Sequence, residues 1–247
     1  MLVDTCKEAA SPPLLVLAGG FGTRLQGVLG GKPKALAPVR GRPFLAFLLD
    51  DWVASGVKRF VFILHYKADQ IEEFVCHYFS SSKNSDVTFV CLIEPAPMGT
   101  GGAIRFATTQ VCFPDEILVV NADTWLPGGV RLLLRAQANC IASVSVDNAA
   151  RFGGLDIEGD LVVGFREKDA TASRCLINGG AYRLRRDLFT GSALPLNFSI
   201  ETEILARLAS ERILNVIEAS EGFIDIGVPE DYEKFKRWVA RGEDGKI

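Results

Sequence analysis

Three observations predict an α/β fold with a Rossmann-like, doubly wound, mostly parallel sheet and an inserted β-rich lobe. Strand-like and helix-like stretches alternate through the first half of the chain. The strand-like stretches are unbroken apolar runs, the signature of strands buried on both faces. The second half changes rhythm and reads as short strands and hairpins.

The elements follow in order. Leu14–Ala18 (LLVLA) is a buried strand that stops at Gly19-Gly20. Phe44–Ser55 has helical periodicity and ends before Gly56, a fitting C-cap. Arg59–Tyr66 is a second strand, Ala68–Phe79 a helix, Val87–Glu94 a third strand, Thr100–Gln110 a helix and Glu116–Asn121 a fourth strand. Right-handed crossovers between such strands give a parallel sheet. Gly153–Glu158 and Leu161–Arg166 flank a Gly159-Asp160 turn and form a hairpin. Gly180–Leu184 is a further strand. Ser199–Ser210 is a helix with Ser199 as N-cap and Glu201 and Glu203 in its first turn. Asn215–Ala219 and Gly222–Ile226 are short strands, and Pro229 opens a last helix over Glu230–Ala240.

Composition narrows the function. A chain of 247 residues with 48% hydrophobic residues can bury a full core without staples. The net charge of −3 offers no basic field for nucleic acid or an anionic membrane. An anionic small molecule would need local basic groups instead. Six cysteines form no C-x-x-C pair and meet only two histidines, which argues against zinc. The first residues lack the apolar segment of a signal peptide, and no apolar run approaches the ~20 residues of a membrane span. A cytoplasmic protein with reduced thiols is expected. Residues 1–12 read as a flexible tail. Residues 13–247 read as a single domain, with halves of about 13–125 and 126–247.

Chemistry concentrates in a few short segments. Ala18-Gly19-Gly20-Phe21-Gly22-Thr23-Arg24-Leu25 follows the first strand. Glycines let backbone N–H groups approach an anion, successive N–H groups form a phosphate nest, and Arg24 adds a forked cation. A tight turn with a solvated arginine is the plainer alternative. The segment is neither a P-loop nor G-x-G-x-x-G. Lys32-Pro33-Lys34 follows a short loop later, where a lysine can neutralise a polyphosphate. Lysines beside prolines are otherwise usually solvated. Asp123, at the carboxyl end of a strand, sits where open α/β sheets bind ligands. Asp225 also follows an apolar strand. His65 and His77 read as structural or superficial, Trp52 and Trp238 as packing residues, and Trp125 as a pocket wall or a loop anchor.

With these segments in order, the chain from about Leu14 to Tyr232 resembles the sugar-1-phosphate nucleotidyltransferases. The likeness rests on the G-G-x-G-T-R-L loop, K-x-x-x-P-V at Lys34–Val39, and Glu94–Ala103 (EPAPMGTGGA). It continues through Val119–Asp123 (VVNAD), Glu167-Lys168, Leu176–Gly180 (LINGG) and Phe223–Tyr232 (FIDIGVPEDY). Ala122 stands where the family usually has glycine, and Phe152-Gly153-Gly154 where Tyr-Gly-Thr is common. Within the family the chain is most similar to the D-glycero-D-manno-heptose 1-phosphate guanylyltransferases of bacterial surface polysaccharide synthesis.

The resemblance implies transfer of a nucleoside monophosphate from an NTP to a sugar 1-phosphate, with release of pyrophosphate. It implies that Arg24, Lys34, Asp123 and Asp225 are catalytic and that Asp123 and Asp225 hold Mg²⁺. Gly19, Gly20, Gly22, Thr23, Arg24, Glu94, Gly99 and Thr100 would bind the nucleotide. Asn121, Gly153, Glu167, Lys168, Asn178, Gly180 and Glu201 would bind the sugar phosphate, making the second half the sugar-binding lobe. A carboxylate at position 94 can accept from both N1–H and the exocyclic amine of guanine, whereas uracil and thymine offer one N–H, so GTP is the expected NTP. The alternatives are mannose 1-phosphate with GTP, an amino-sugar 1-phosphate with UTP, and a catalytically inactive regulatory protein that binds sugar nucleotides. Oligomeric state stays open, with a homodimer among the options.

Overall fold

A computed structural model describes residues 11–80, 86–147, 152–167, 174–191, 194–219 and 222–244. The expected tail over residues 1–12, apart from its last two residues, lies outside this set, and so does Lys168.

In chain order the first half runs β1 (Leu14–Leu17), α1 (Gln26–Leu29), β2 (Pro38–Val39), β3 (Arg42–Pro43), α2 (Phe44–Ala54), β4 (Arg59–Leu64), α3 (Ala68–Phe79), β5 (Thr88–Ile93), α4 (Gly99–Gln110) and β6 (Glu116–Asn121). The second half runs β7 (Thr124–Trp125), α5 (Gly129–Arg135), β8 (Cys140–Val146), β9 (Gly154–Glu158), β10 (Leu161–Arg166), β11 (Cys175–Arg185), α6 (Ala206–Ser210), β12 (Leu214–Ala219), β13 (Ile224–Asp225) and α7 (Pro229–Asp244).

One nine-stranded sheet dominates, in the order β5-β4-β1-β6-β11-β8-β12-β10-β9. The strands β5, β4, β1 and β6 are mutually parallel, as the unbroken apolar runs require. Alternate residues explain those runs. Phe60 and Phe62 enter the core on the face covered by α2, α3, α5 and α7. Val61 and Ile63 enter the core on the opposite face, under α4 and α6. Both faces of β4 are therefore fully buried, and each aromatic or branched side chain contributes about 1.5–3 kcal/mol over an exposed one.

The second half extends the same sheet. The strand β11 is antiparallel to β6 and carries the parallel half into β8, which pairs with β12 in parallel. The hairpin β9–β10 turns at Gly159 as expected and joins through β12. The strand expected over Gly180–Leu184 is longer and begins at Cys175. Strand β8 and helix α5 were not anticipated. The helix expected from Ser199 opens as a π-helical turn, Glu201–Leu205, before α6. Ser199 Oγ accepts from Glu201 N–H at 3.1 Å, so the capping contact is present. Cys76, Cys91, Cys140 and Cys175 are free thiols, whereas Cys112 is disulfide-bonded, a departure from the fully reduced set expected. Among the described residues no helix is long and apolar enough to cross a membrane.

Candidate active site

The site forms where β1 and β6 end side by side. Ala122 N–H donates to Leu17 O at 3.1 Å, which holds the two exits together. Beyond β1 the chain runs through Gly19–Gly22 into a tight turn, Thr23–Leu25, in which Thr23 and Arg24 are exposed. Beyond β6 it reaches Asp123.

Asp123 and Asp225 are far apart in sequence and adjacent in space. The two-stranded ribbon β7–β13 pairs Asp225 with Thr124, and Ile226 N–H donates to Asp123 O at 3.0 Å. Asp225 Oδ1 accepts from Gly227 N–H at 2.8 Å, a local turn that aims the carboxylate before Pro229 starts α7. Lys34 Nζ lies 2.6 Å from Asp123 Oδ2 and 3.9 Å from Asp225 Oδ1. Burial and then the neighbouring Asp123 carboxylate raise the pKa of Asp225, against the pull of Lys34 and the Gly227 N–H. Two crowded carboxylates, oxygen donors only, fit a hard divalent cation that keeps other positions for phosphate oxygens or water.

Two recesses meet at Asp123. A small one of about 70 Å³ lies between Gly20, Gly22, Lys34 and Asp123. A larger one of about 310 Å³ runs from Asn121 and Asp123 past Gly20 and Phe21 to Glu94, Met98 and Thr100. Glu94 is only 7% exposed. Its Oε1 accepts from Met98 N–H at 3.2 Å. Burial raises its pKa, partly offset by that N–H and by His65. His65 Nδ1 itself lies 3.2 Å from Glu94 O, so the histidine is structural. Gly19 makes room for the carboxylate: a Cβ there would lie 2.6 Å from Glu94 Oε2.

The far wall comes from the second half. Thr100 Oγ1 donates to Glu201 Oε2 at 3.0 Å and accepts from Ile200 N–H at 2.8 Å, tying α4 to the π-helical turn. Asn178 is held at both ends, donating to Tyr182 Oη at 2.8 Å and accepting from Gly180 N–H at 2.8 Å. Gly180 has φ +72°, and a Cβ would lie 2.9 Å from Asn121 Nδ2, so glycine is required beside Asn121. Gly153 packs on Arg166 O, and Glu167 is exposed at the end of β10. Sequence reasoning missed Tyr182, which is fully buried and fixes Asn178, and Phe21, which lines the larger recess. The i, i+4 offset that joins Asn178 to Tyr182 spans a β-bulge, which a strict strand alternation would not reveal. Trp125 is a core anchor, packed on Phe235 and Trp238.

The family model described as nucleotidyl transferase matches residues 14–241. A D-glycero-alpha-D-manno-heptose 1-phosphate guanylyltransferase of Campylobacter jejuni is 35% identical, across 90% of this chain and 97% of its own. One of the same name from Aneurinibacillus thermoaerophilus is 28% identical, across 90% and 96%. The crystal structure of HddC from Yersinia pseudotuberculosis complexed with GMP-PN superposes with a TM-score of 0.77, at 31% identity, over 92% of this chain and 99% of that one. Enzymes of this kind generally use a divalent metal ion. With the family's pattern spanning nearly the whole sequence, this chain belongs to the nucleotidyl transferase family.

Proposed function

We propose that this protein transfers GMP from GTP to D-glycero-D-manno-heptose 1-phosphate and releases pyrophosphate. The observation that carries the reading is the meeting of the two recesses at Asp123. One ends at a buried carboxylate suited to guanine, and the other is walled by a lysine and a glycine loop suited to phosphates. The named activity of the Campylobacter jejuni relative supports the choice of substrates.

In this reading residues of about 13–125 bind GTP and residues of about 126–247 bind the sugar phosphate. Glu94 accepts from guanine N1–H and the exocyclic amine. The N–H groups of Gly19–Gly22, with Thr23 and Arg24, hold the β- and γ-phosphates. Gly99 and Thr100 close the nucleoside side. Asn121, Gly153, Glu167, Lys168, Asn178, Gly180 and Glu201 orient the sugar phosphate. Its phosphate oxygen forms the new P–O bond to the α-phosphorus, while the bond from that phosphorus to the bridging oxygen breaks and the electron pair leaves with pyrophosphate. The attacking oxygen is already anionic near neutral pH, so no general base is needed. Lys34 steadies charge on the transferred group. Asp123 and Asp225 would hold Mg²⁺, which supplies charge neutralisation and alignment at the α-phosphate.

The test is pyrophosphate release with Mg²⁺ across four NTPs and the 1-phosphates of heptose, mannose, glucose and N-acetylglucosamine. Release with GTP and the heptose alone supports the proposal. Release with another pair overturns the substrate assignment and keeps the chemistry. Release with none points to a binding protein.

A further inference from the structure

The loop that carries the chain from α1 to Lys34 is thinly anchored. Within residues 26–32 Leu29 alone is buried, and Val28 is 51% exposed. Gly30 and Gly31 are both left-handed, at φ +57° and +85°. Gln26 Nε2 donates to Phe21 O at 2.9 Å and Lys32 N–H to Leu29 O at 3.2 Å, so these bonds close within the segment. Among the described residues, the hydrogen bond that ties the loop to the rest of the fold runs from Lys67 Nζ to Gly31 O. Resting on the reading above, we propose that Lys67 is a positioning residue. By holding Gly31 it sets where the chain delivers Lys34 beside Asp123, and it acts on the reaction only through Lys34.

Lys67 belongs to a firm support. Residues 65–67 turn β4 into α3 and touch three separate parts of the site. His65 Nδ1 lies 3.2 Å from Glu94 O. Tyr66 N–H donates to Gly19 O at 3.4 Å, and the Phe21 ring packs on His65 and Tyr66 with centroids 5.7 and 5.5 Å away. Lys67 reaches the third part, the loop before Lys34. It sits at φ +51°, a left-handed backbone uncommon for lysine. The start of α3 holds that conformation: Lys67 O accepts from Gln70 and Ile71 N–H at 3.1 and 3.4 Å, and Ile71 is fully buried. The ammonium also lies 5.6 Å from the centroid of the Tyr66 ring, whose face attracts a cation.

A displacement at Gly31 passes directly to Lys34. Only Lys32 and Pro33 lie between them. Pro33 is buried with φ −64°, and its carbonyl accepts from Leu36 N–H at 2.9 Å, so it transmits the shift rather than absorbing it. Lys34 has little slack on its other side, since a Cβ at Gly22 would lie 3.0 Å from Lys34 Cβ. Lys67 itself borders neither recess, and its ammonium is engaged by a carbonyl and a ring. A direct phosphate contact is therefore not its role.

The experiment sets Lys67→Met and Lys67→Arg beside Lys34→Met and the double variant that combines Lys34→Met with Lys67→Met. Pyrophosphate release from GTP with heptose 1-phosphate is one readout, and hydrogen exchange of the free protein is the other. Lys67→Met is expected to lower kcat about 10-fold or more with both KM values within about 2-fold, because a contact made in the transition state is misplaced. Lys67→Arg keeps a donor for Gly31 O and should recover kcat to within about 3-fold of the wild type. In the Lys34→Met background, Lys67→Met should cost less than about 2-fold more, because the residue it positions is already gone. Amides of residues 26–34 should exchange about 10-fold faster in Lys67→Met while those of β1, β4 and β6 keep the wild-type rate, which separates a loosened loop from a damaged fold. Equal losses in both backgrounds overturn the proposal, as do an unchanged kcat or unchanged exchange in the loop. A wild type that prefers another NTP and sugar overturns the substrate reading alone, and the same variants then decide this proposal with that pair. A wild type inert with every pair overturns the reading above and this proposal with it.

Discussion

Lys34 Nζ lies 2.6 Å from Asp123 Oδ2, so the lysine that faces the phosphate recess is also the counter-ion of a candidate metal ligand. The pair is partly shielded, with Lys34 14% exposed. Removing one partner leaves its opposite number uncompensated beside Asp225. Lys34→Met is therefore expected to lower the melting temperature without metal and to enlarge the rise on adding Mg²⁺, because the cation then relieves a greater repulsion. Turnover should fall about 100- to 1,000-fold, the scale for losing one donor to transition-state charge. Thermal denaturation with and without Mg²⁺, beside a pyrophosphate assay, checks both parts. An unchanged metal shift would separate Lys34 from the carboxylates energetically.

Asp123→Asn and Asp225→Asn are expected to abolish Mg²⁺-dependent turnover and the Mg²⁺-induced thermal shift. Saturating a site at 100 times its dissociation constant stabilises by about 2.7 kcal/mol, and that increment should vanish in each variant. The two should differ without metal. Asp225 is the carboxyl that burial and Asp123 push upward, and an amide oxygen there can still accept the Gly227 N–H. Asp225→Asn should therefore match or exceed the wild type in melting temperature. A large drop would mean that Asp225 serves the fold.

Glu94 gives a pH-dependent test. Its folded-state pKa is raised by burial, so its contribution to stability is present below the ordinary glutamate value and is lost as pH rises through the folded value. Guanine recognition needs the ionised form. The KM for GTP is thus expected to rise as pH falls from neutral toward the raised value. Glu94→Gln should flatten that dependence, raise the KM for GTP about 10-fold or more, and leave stability at neutral pH equal or higher. Gly19→Ala should mimic the affinity loss in a folded protein, since the added Cβ, 2.6 Å from Oε2, displaces the flexible end of Glu94. Steady-state rates with GTP and UTP from pH 5 to 8 provide the check, and parallel losses with both nucleotides would remove Glu94 from base recognition.

The parallel half was legible because strands buried on both faces show as apolar runs such as RFVFIL, and because Gly19-Gly20 marks the exit of β1. Strand β8 escaped because CIASVSV mixes serine and cysteine into its run, although Ser143 is fully buried and donates to Ile217 O at 3.3 Å. The pairing of Asp123 with Asp225 was legible only through motif resemblance. It depends on the β7–β13 ribbon, two residues on each side, too short to carry a periodic signal. The helix expected over Thr100–Gln110 begins one residue earlier, at Gly99, and its packing partner was not legible: the N–H groups of Gly101 and Gly102 donate to Phe198 O at 2.9 and 3.3 Å.

That last contact yields a stability prediction independent of any ligand. A Cβ at Gly101 would lie 2.1 Å from the Phe198 ring, and one at Gly102 would lie 2.4 Å from Leu196 O. The segment Leu196–Phe198 can reach α4 only because those side chains are missing. Phe198 N–H in turn donates to Met98 O at 3.1 Å, so the helix start and the segment support each other. In a helix interior alanine is ordinarily better than glycine by about 1 kcal/mol. Here the clash should reverse that sign, and Gly101→Ala is expected to destabilise by about 1–3 kcal/mol, the usual cost of overpacking. The same displacement should pull Thr100 from Glu201 and weaken both GTP and sugar-phosphate binding. Urea unfolding measures the first effect and the two KM values the second. A stabilised variant would mean that Phe198 has room to move and that the glycines serve only the ligand.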